Sequence, residues 1–488
     1  MYRISAALLI LSLTAARAGD VEIQIKRFVE AYAAVEREAA DPVPPEKAFY
    51  EGAIPGLLRR LDPHSVFFDP GQFDQLKKME TSTQKGFGSV VSLVPGRIIV
   101  LQTLPGTPSA KSGMAPGDEI LAINGYAIDR LDMDQMVALL SQSRQQPARL
   151  VVRRPGNARV LDFVLTPEEM QAPSVERVFH LKPGVGYLRV SSFDEKTGEQ
   201  IKEAIEKLGG QKLKGLVLDL RNNPGGLLPA ALQTASLFLE PGQKLLSVRG
   251  RKVEEQDQTV PPGNVPYTFP MAILINGKSA SASEIVSGAM QDHDRATIIG
   301  EPSYGKGLVQ SVYPLSDSTG MALTTALYYT PSGRSIQRPL KGAGEFALSA
   351  TASKPNKQSE FRTDSGRVVK GGGGIQPDFE VYPEPPTRLR AVLEASGSFT
   401  TFSIDYFKKH SDIPKDFEVT GALLDDFKVF LSQRGIQPGI GDWSRDSDAI
   451  RNRLKTEIYN QAFGIEKGDE VEAQRDALIL KALDVIGR

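Results

Sequence analysis

Three serines alternate in the stretch Ser279-Ala280-Ser281-Ala282-Ser283-Glu284-Ile285, directly behind an apolar run over residues 271–275. Ser281 and Glu284 stand in the S-x-x-E register of a capping box, so a helix is expected to start here with Ile285, Val286, Ala289 and Met290 on its buried face. A serine between a buried strand and a helix N-terminus has its hydroxyl near unpaired N–H groups and the positive end of the helix dipole, the surroundings that an acyl-transfer oxyanion needs. The plainer alternative makes Ser281 a cap and nothing more. The pattern G-x-S-x-S also departs from the G-x-S-x-G of a nucleophile elbow, and local sequence does not choose among the three serines. A serine nucleophile requires a base. With no cysteine and four histidines in the chain, one candidate is His293, flanked by Asp292 and Asp294 in a polar run that looks exposed. The other is Lys306, between Gly305 and Gly307 and after the apolar residues 297–300, where its ammonium would be desolvated. Lowering a lysine from about 10.4 to about 7 or 8 takes roughly 3 to 5 kcal/mol, which burial supplies.

A second stretch, residues 215–226 (GLVLDLRNNPGG), runs a buried strand into a Pro-Gly-Gly turn. Such a turn leaves backbone N–H groups free at the carboxyl end of the strand, where open α/β sheets place their ligands. A phosphate cradle fits poorly, because there is no Walker lysine and no G-x-G-x-x-G register.

The elements around these motifs alternate. Strands are expected at 185–190, 216–220 and 271–275 and helices at 195–208 and 227–239, which argues for βαβ units and a parallel sheet. Residues 341–374 are polar, end in four glycines and show no periodicity, so they read as a long loop. Beyond Pro386 the chain is helical again, with apolar residues at Leu423, Phe427, Phe430 and Leu431 and at Ile450, Leu454 and Ile458. Residues 20–79 are helix-patterned but broken at 41–45 and at 61–65. Residues 86–166 change character: short β-branched runs at 90–94, 98–101, 120–123 and 150–152 surround one helical stretch at 133–141. Asn124-Gly125 after an apolar strand is a strong hairpin signal.

The 488 residues are 40% hydrophobic and 24% charged, with 58 Lys and Arg against 59 Asp and Glu. That composition suits several globular domains and excludes a disordered or collagenous chain. A formal net charge of -1 gives no bulk attraction to nucleic acid. The first eighteen residues carry Arg3, an apolar run over 4–13 and small residues at Ala16 and Ala18, the pattern of a secretory signal whose mature chain would begin near Gly19. The expected location is therefore outside the cytoplasm, periplasmic or extracellular, with membrane association left open.

Two resemblances follow from these motifs. Gly86-Phe87-Gly88 before a strand, together with the 113–125 segment, resembles a PDZ domain. That implies a loop whose N–H groups hold a terminal carboxylate, a strand that pairs with an extended peptide, and a pocket lined by Met136, Leu139 and Leu140. The ordered set of residues 61–70 (LDPHSVFFDP), this module, and residues 215–226, 279–285, 305–310, 323–337 and 374–381 is similar to the carboxyl-terminal processing peptidases, which are tail-specific serine/lysine proteases. The resemblance spans most of residues 45–385. It implies that Ser281 is the nucleophile, Lys306 the base and Gln310 the residue that orients the lysine, with oxyanion donors at the N–H groups of Ala282 and Gly225. Lys306 and Gln310 meet only if the chain bends, because four residues of extended strand span about 13 Å.

The expected organisation is a signal peptide (1–18), an N-terminal helical region (19–83), a PDZ domain (84–166), an α/β, crotonase-like protease core (167–385) into which the β-rich PDZ domain is inserted, and a C-terminal helical region (386–488). The expected activity is endoproteolysis of proteins recognised by their C-terminal tails, with no metal and no cofactor. Partners would be protein or peptide substrates and no nucleic acid, with an adaptor and self-association through the helical regions left open. Two rivals remain at this point: a non-catalytic peptide-binding scaffold, and a Ser/His/Asp hydrolase using His293.

Overall fold

The computed structural model describes residues 2–41, 43–80, 83–94, 96–154, 157, 159–252, 255–339, 360–410 and 412–487, with side chains from residue 20 onward except at 79, 80, 83, 84 and 171. The expected signal segment falls in the first half of a helix, Tyr2–Glu38, and residues 340–359 of the expected long loop lie outside the description. Among the described residues no helix is long and apolar enough to cross a membrane.

The chain divides into two units. One comprises the N-terminal residues to Phe73 together with 310–324. After Glu38 it breaks, as the prolines at 42, 44 and 45 require, into the short helical turns Pro45–Lys47, Ala48–Ala53 and Ile54–Leu58. Phe28 and Tyr32 of the long helix pack on Phe49, with ring centroids 5.6 and 5.4 Å apart. Strand Val66–Phe68 follows, antiparallel to 320–322.

The second unit is built on a six-stranded sheet in the order Val175–Lys182, Val185–Val190, Gly215–Asp219, Met271–Ile275, Thr297–Gly300, Phe379–Glu380. The first pair is antiparallel and every later pair parallel. Gly215–Asp219 and Met271–Ile275 are buried throughout, as strands covered on both faces must be. Their side chains alternate accordingly. Leu216, Leu218, Ile273 and Ile275 meet helices Thr197–Lys207, Leu228–Ser236 and Ala282–Asp292. Val217, Ala272 and Leu274 point the other way, onto Ala473, Leu478, Ile479 and Ala482. The second face is thus closed by helices Ile465–Ala473 and Ala477–Ile486 from the far end of the chain. Gly215 has no side chain where the last of these helices lies closest, at Ile486. Arg221, just past its strand, pairs with Asp219 at 2.5 Å and with Asp476, the N-cap of that last helix, at 2.7 Å.

The remaining C-terminal helices, Arg388–Ala395, Ser398–Lys409, Gly421–Gln433 and Ile440–Phe463, form a core of their own. In it Leu423, Phe427, Leu431, Ile450, Leu454 and Ile458 are buried, as their spacing requires. The β-rich module orders its strands Ser89–Val94, Arg97–Thr103, Glu119–Ile123, Ala148–Arg153, Leu161–Leu165. Asn124 and Gly125 turn at φ 51° and 86°, the pair of positive values that a tight hairpin demands. The 341–374 expectation needs correction at its described end: 361–362 and 368–369 pair as a two-stranded hairpin, too short to leave a periodic signature.

Candidate active site

The wholly buried strand Met271–Ile275 ends at a loop that is stitched to the 215–226 turn. Asn276 Oδ1 accepts the Asn222 N–H at 2.9 Å, and the Ser279 hydroxyl donates to the Leu220 carbonyl at 2.8 Å. Ser283 donates to the Asn223 carbonyl at 3.0 Å. Ser279 and Ser283 are therefore fully buried fasteners between the two loops. Ser281 differs from both. It is half-buried and sits at φ 53°, ψ -111°, immediately before helix Ala282–Asp292. That conformation is strained for any residue but glycine, and such strain is kept only where surrounding structure enforces it.

Two buried side chains do the enforcing, and both reach Lys306. Glu284 Oε2 accepts the N–H groups of Ser281 and Lys306, at 2.8 and 2.9 Å. Its Oε1 accepts the Gly305 N–H at 2.7 Å and the Ser303 hydroxyl at 2.5 Å. Tyr328, from the other side, turns its phenol to the carbonyls of Ser281 (3.2 Å) and Lys306. Serine and lysine are thus tied at both their N–H and carbonyl ends. At most two hydrogen-bond lengths separate their nitrogens, within reach of a lysine's four-carbon stem. Lys306 is half-buried; burial pulls its ammonium below the ordinary lysine range, and the Glu284 carboxylate partly opposes this. Burial pushes the Glu284 carboxyl upward while its four donors work against that push. The lysine segment is not a strand: Gly305 takes φ 92° and the strand begins only at Leu308.

Sequence reasoning read Glu284 as half of a capping box and left Tyr328 unassigned within 323–337. The signal available was the S-x-x-E register itself, which places a carboxylate over the first turn. That this carboxylate also collects the lysine loop requires contacts 19 to 22 residues away along the chain.

The Pro-Gly-Gly turn lies directly against the serine. A side chain at Gly225, itself at φ 102°, would put its Cβ 2.7 Å from the Ala280 carbonyl oxygen and 2.8 Å from Ser281 Cβ. The Ala282 N–H has no hydrogen-bond acceptor among the described residues, as expected for the first turn of a helix. The expectation of an open N–H at Gly225 is corrected: this group donates to Asn223 Oδ1 at 2.8 Å. Asn223 is itself fully buried, with its amide nitrogen donating to the Val190 carbonyl at 2.9 Å.

His293 also needs correction. Its side chain is not exposed: the imidazole is only 7% accessible, Nδ1 lies 2.7 Å from Asp364 Oδ2 and Nε2 lies 2.7 Å from the Lys244 carbonyl. It caps the far end of the eleven-residue serine helix, about 18 Å from Ser281 at 1.5 Å per residue. Both nitrogens are occupied there, so the imidazole is a clasp between segments.

Gln310 belongs to the other unit, where its Nε2 donates to the His64 carbonyl at 2.6 Å. In the β-rich module Gly86 closes the strand Thr83–Gly86, which pairs with Glu168–Gln171. Phe87 and Gly88 follow it, with no acceptor for either N–H among the described residues. Ser89–Val94 is an edge strand with one side unpaired. Met136 is not a pocket residue: it is completely buried in the module's core. The helix Met133–Ser143 instead presents Met133 (39% exposed) and Val137 (47%), one turn apart, with the half-buried Leu140 beyond them. The helical period sets this register, since 136 and 143 face inward and 133 and 137 do not.

Comparison with known proteins bears on the whole arrangement. The model of peptidase family S41 matches residues 184–342, and a PDZ domain model matches residues 99–154. A carboxy-terminal-processing protease of Bartonella bacilliformis is 38% identical over 346 residues, covering 68% of this chain and 78% of that one. The chain belongs to peptidase family S41. This S41 protein is accordingly a serine-type peptidase that carries a PDZ domain. A carboxyl-terminal-processing protease of Synechocystis is 34% identical over 292 residues, 59% of this chain and 68% of that one. The solved photosystem II D1 C-terminal processing protease aligns with a TM-score of 0.40 and 26% identity over 76% of this chain and 97% of that one.

Proposed function

We propose that this S41 peptidase is an exported endopeptidase, periplasmic or extracellular, that cleaves proteins selected by their C-terminal tails, with Ser281 as nucleophile and Lys306 as base on a crotonase-like core. The observation that carries the reading is the strained Ser281 turn, whose N–H shares one carboxylate oxygen with the N–H of Lys306. Neutral Lys306 takes the Ser281 hydroxyl proton as Oγ attacks the scissile carbonyl. The Ala282 N–H faces the developing oxyanion, and Gly225 joins it only once Asn223 releases its N–H. The lysine ammonium then protonates the leaving amine, and the same amine activates the water that hydrolyses the acyl-enzyme and leaves a new carboxylate. Burial favours the neutral amine that the first step needs. Gln310 orients the lysine.

In this reading the PDZ domain receives the substrate's terminal carboxylate at Phe87 and Gly88 and pairs its last residues with the edge strand Ser89–Val94. The apolar stripe Met133, Val137, Leu140 takes a small or apolar terminal side chain. An adaptor and self-association through the helical regions are compatible with this arrangement. The test is digestion of a disordered protein substrate by wild type, Ser281→Ala and Lys306→Ala. Both variants should fold and fail to cleave; cleavage by folded Ser281→Ala overturns the assignment.

A further inference from the structure

Residues 331–337 (PSGRSIQ) close one of the motifs singled out in the sequence, yet the last of them has no part in the site so far. Ser281, Lys306 and this segment all lie in the second unit. Gln337 Oε1 accepts the Gly307 N–H at 2.8 Å, and Gln337 Nε2 donates to the Arg338 carbonyl at 2.7 Å. A carbonyl oxygen only accepts hydrogen bonds, so the Arg338 contact fixes which end of the amide meets Gly307. The approach is close. A side chain at Gly307 would put its Cβ 3.0 Å from the Gln337 nitrogen, and one at Gly305 would put its Cβ 2.9 Å from Arg338 Cβ. The lysine is flanked by glycines because the 337–338 backbone packs directly on them.

Every backbone polar group of residues 305–307 is paired within this unit. Ahead of the Lys306 Cα, Glu284 accepts the N–H groups of Gly305 and Lys306, and the Arg338 N–H holds the Gly305 carbonyl at 3.0 Å. Behind it, Tyr328 holds the Lys306 carbonyl with its phenol and the Gly307 carbonyl with its N–H at 3.0 Å, while Gln337 holds the Gly307 N–H. The planar peptide on each side of Lys306 is thus pinned at both its carbonyl and its N–H. Gln337 supplies the N–H pin of the 306–307 peptide. Glycine lets that plane turn once the N–H is released. Gly307 is buried, and a buried N–H without an acceptor drives the turn. We propose that Gln337 is a positioning residue for the reaction: its amide oxygen fixes the 306–307 peptide plane and, through it, the direction in which the Lys306 stem leaves the backbone. This rests on the reading of Lys306 as base.

Gln337→Ala should lower kcat by about tenfold, a fraction of what a general base contributes, with KM unchanged. The titration should respond with a definite sign. Burial holds the Lys306 ammonium below the ordinary lysine range, with the Glu284 carboxylate opposing it. A lysine that swings out of its aim regains water, so its pKa rises and the acidic limb of the kcat/KM profile moves to higher pH. Gln337→Glu keeps an acceptor for the Gly307 N–H and loses only the contact with the exposed Arg338, so its plateau kcat should return close to that of wild type. If Gln337→Ala does not fold, Gln337→Met replaces it, with a side chain of similar length and only a weak acceptor. Wild-type kcat in Gln337→Ala, a raised KM as its sole defect, an unshifted acidic limb, or a Gln337→Glu enzyme as slow as Gln337→Ala on the plateau each overturns the proposal. Cleavage by folded Lys306→Ala would instead remove the reading on which it rests.

Discussion

Replacing Glu284 by glutamine changes one atom in the most connected side chain of the site. The carboxylate accepts four hydrogen bonds, two on each oxygen. An amide keeps one accepting end. The less costly orientation leaves its oxygen on the N–H groups of Ser281 and Lys306 and turns its nitrogen toward Gly305 and Ser303. The Ser303 hydroxyl adjusts by accepting, but the Gly305 N–H then faces another donor in a buried place. An orphaned buried N–H costs about 1 to 3 kcal/mol, and loss of charge weakens the bonds that remain, so the total destabilisation comes to about 2 to 5 kcal/mol. The strain falls on the residue before Lys306, and a displacement of about 1 Å there costs on the order of 100-fold in rate. Glu284 also raises the lysine's proton affinity. Without its charge Lys306 titrates lower still, and the acidic limb of kcat/KM moves down in pH. Denaturant unfolding and a pH series on a fluorogenic peptide measure the two effects separately. A Glu284→Gln enzyme with wild-type unfolding midpoint, rate and pH profile would show that the shared carboxylate does not hold the two residues together.

Ser281→Gly removes the side-chain penalty of the positive φ at the cost of a few tenths for the cap, so the variant should be about 1 kcal/mol more stable and inactive; lower stability on thermal unfolding refutes the strain argument. Lys306→Arg should not cleave, because guanidinium holds its proton throughout the accessible range. His293→Ala should retain most of the rate while losing about 1 kcal/mol from its two hydrogen bonds; the opposite pattern would make histidine the base. Amidating the terminal carboxylate of a tailed substrate should raise KM with kcat unchanged, and equal KM for both forms would take the carboxylate from the Phe87 and Gly88 N–H groups.

The strands and turns of the core were legible because their signals are local. A fully apolar five-residue run such as 271–275 has one use in a sheet covered on both faces, and Asn124-Gly125 admits one kind of turn. The choice among Ser279, Ser281 and Ser283 was not legible from local pattern, since it depends on which hydroxyls meet carbonyls about 60 residues upstream. Met136 was misplaced because an apolar residue on a helix next to a groove serves either the groove or the core, and the phase of the helix decides. His293 looked exposed because its neighbours are charged, yet Asp292 turns inward to the buried Arg334, while Asp294 pairs with Arg367 at the surface. The docking of the last two helices on the sheet left no mark in their own sequence, since an amphipathic helix does not name the surface it covers.

That docking imposes an order of events on the life of the enzyme. Until residues 477–486 exist, Val217, Ala272 and Leu274 face water on one side of the sheet, and Arg221 has only half its partners. The 215–226 turn, against which Ser281 is braced, hangs from that unfinished sheet. A polypeptide made from its N-terminus onward therefore covers that face of the sheet, and gives Arg221 its second carboxylate, only after residues 476–486 have been made.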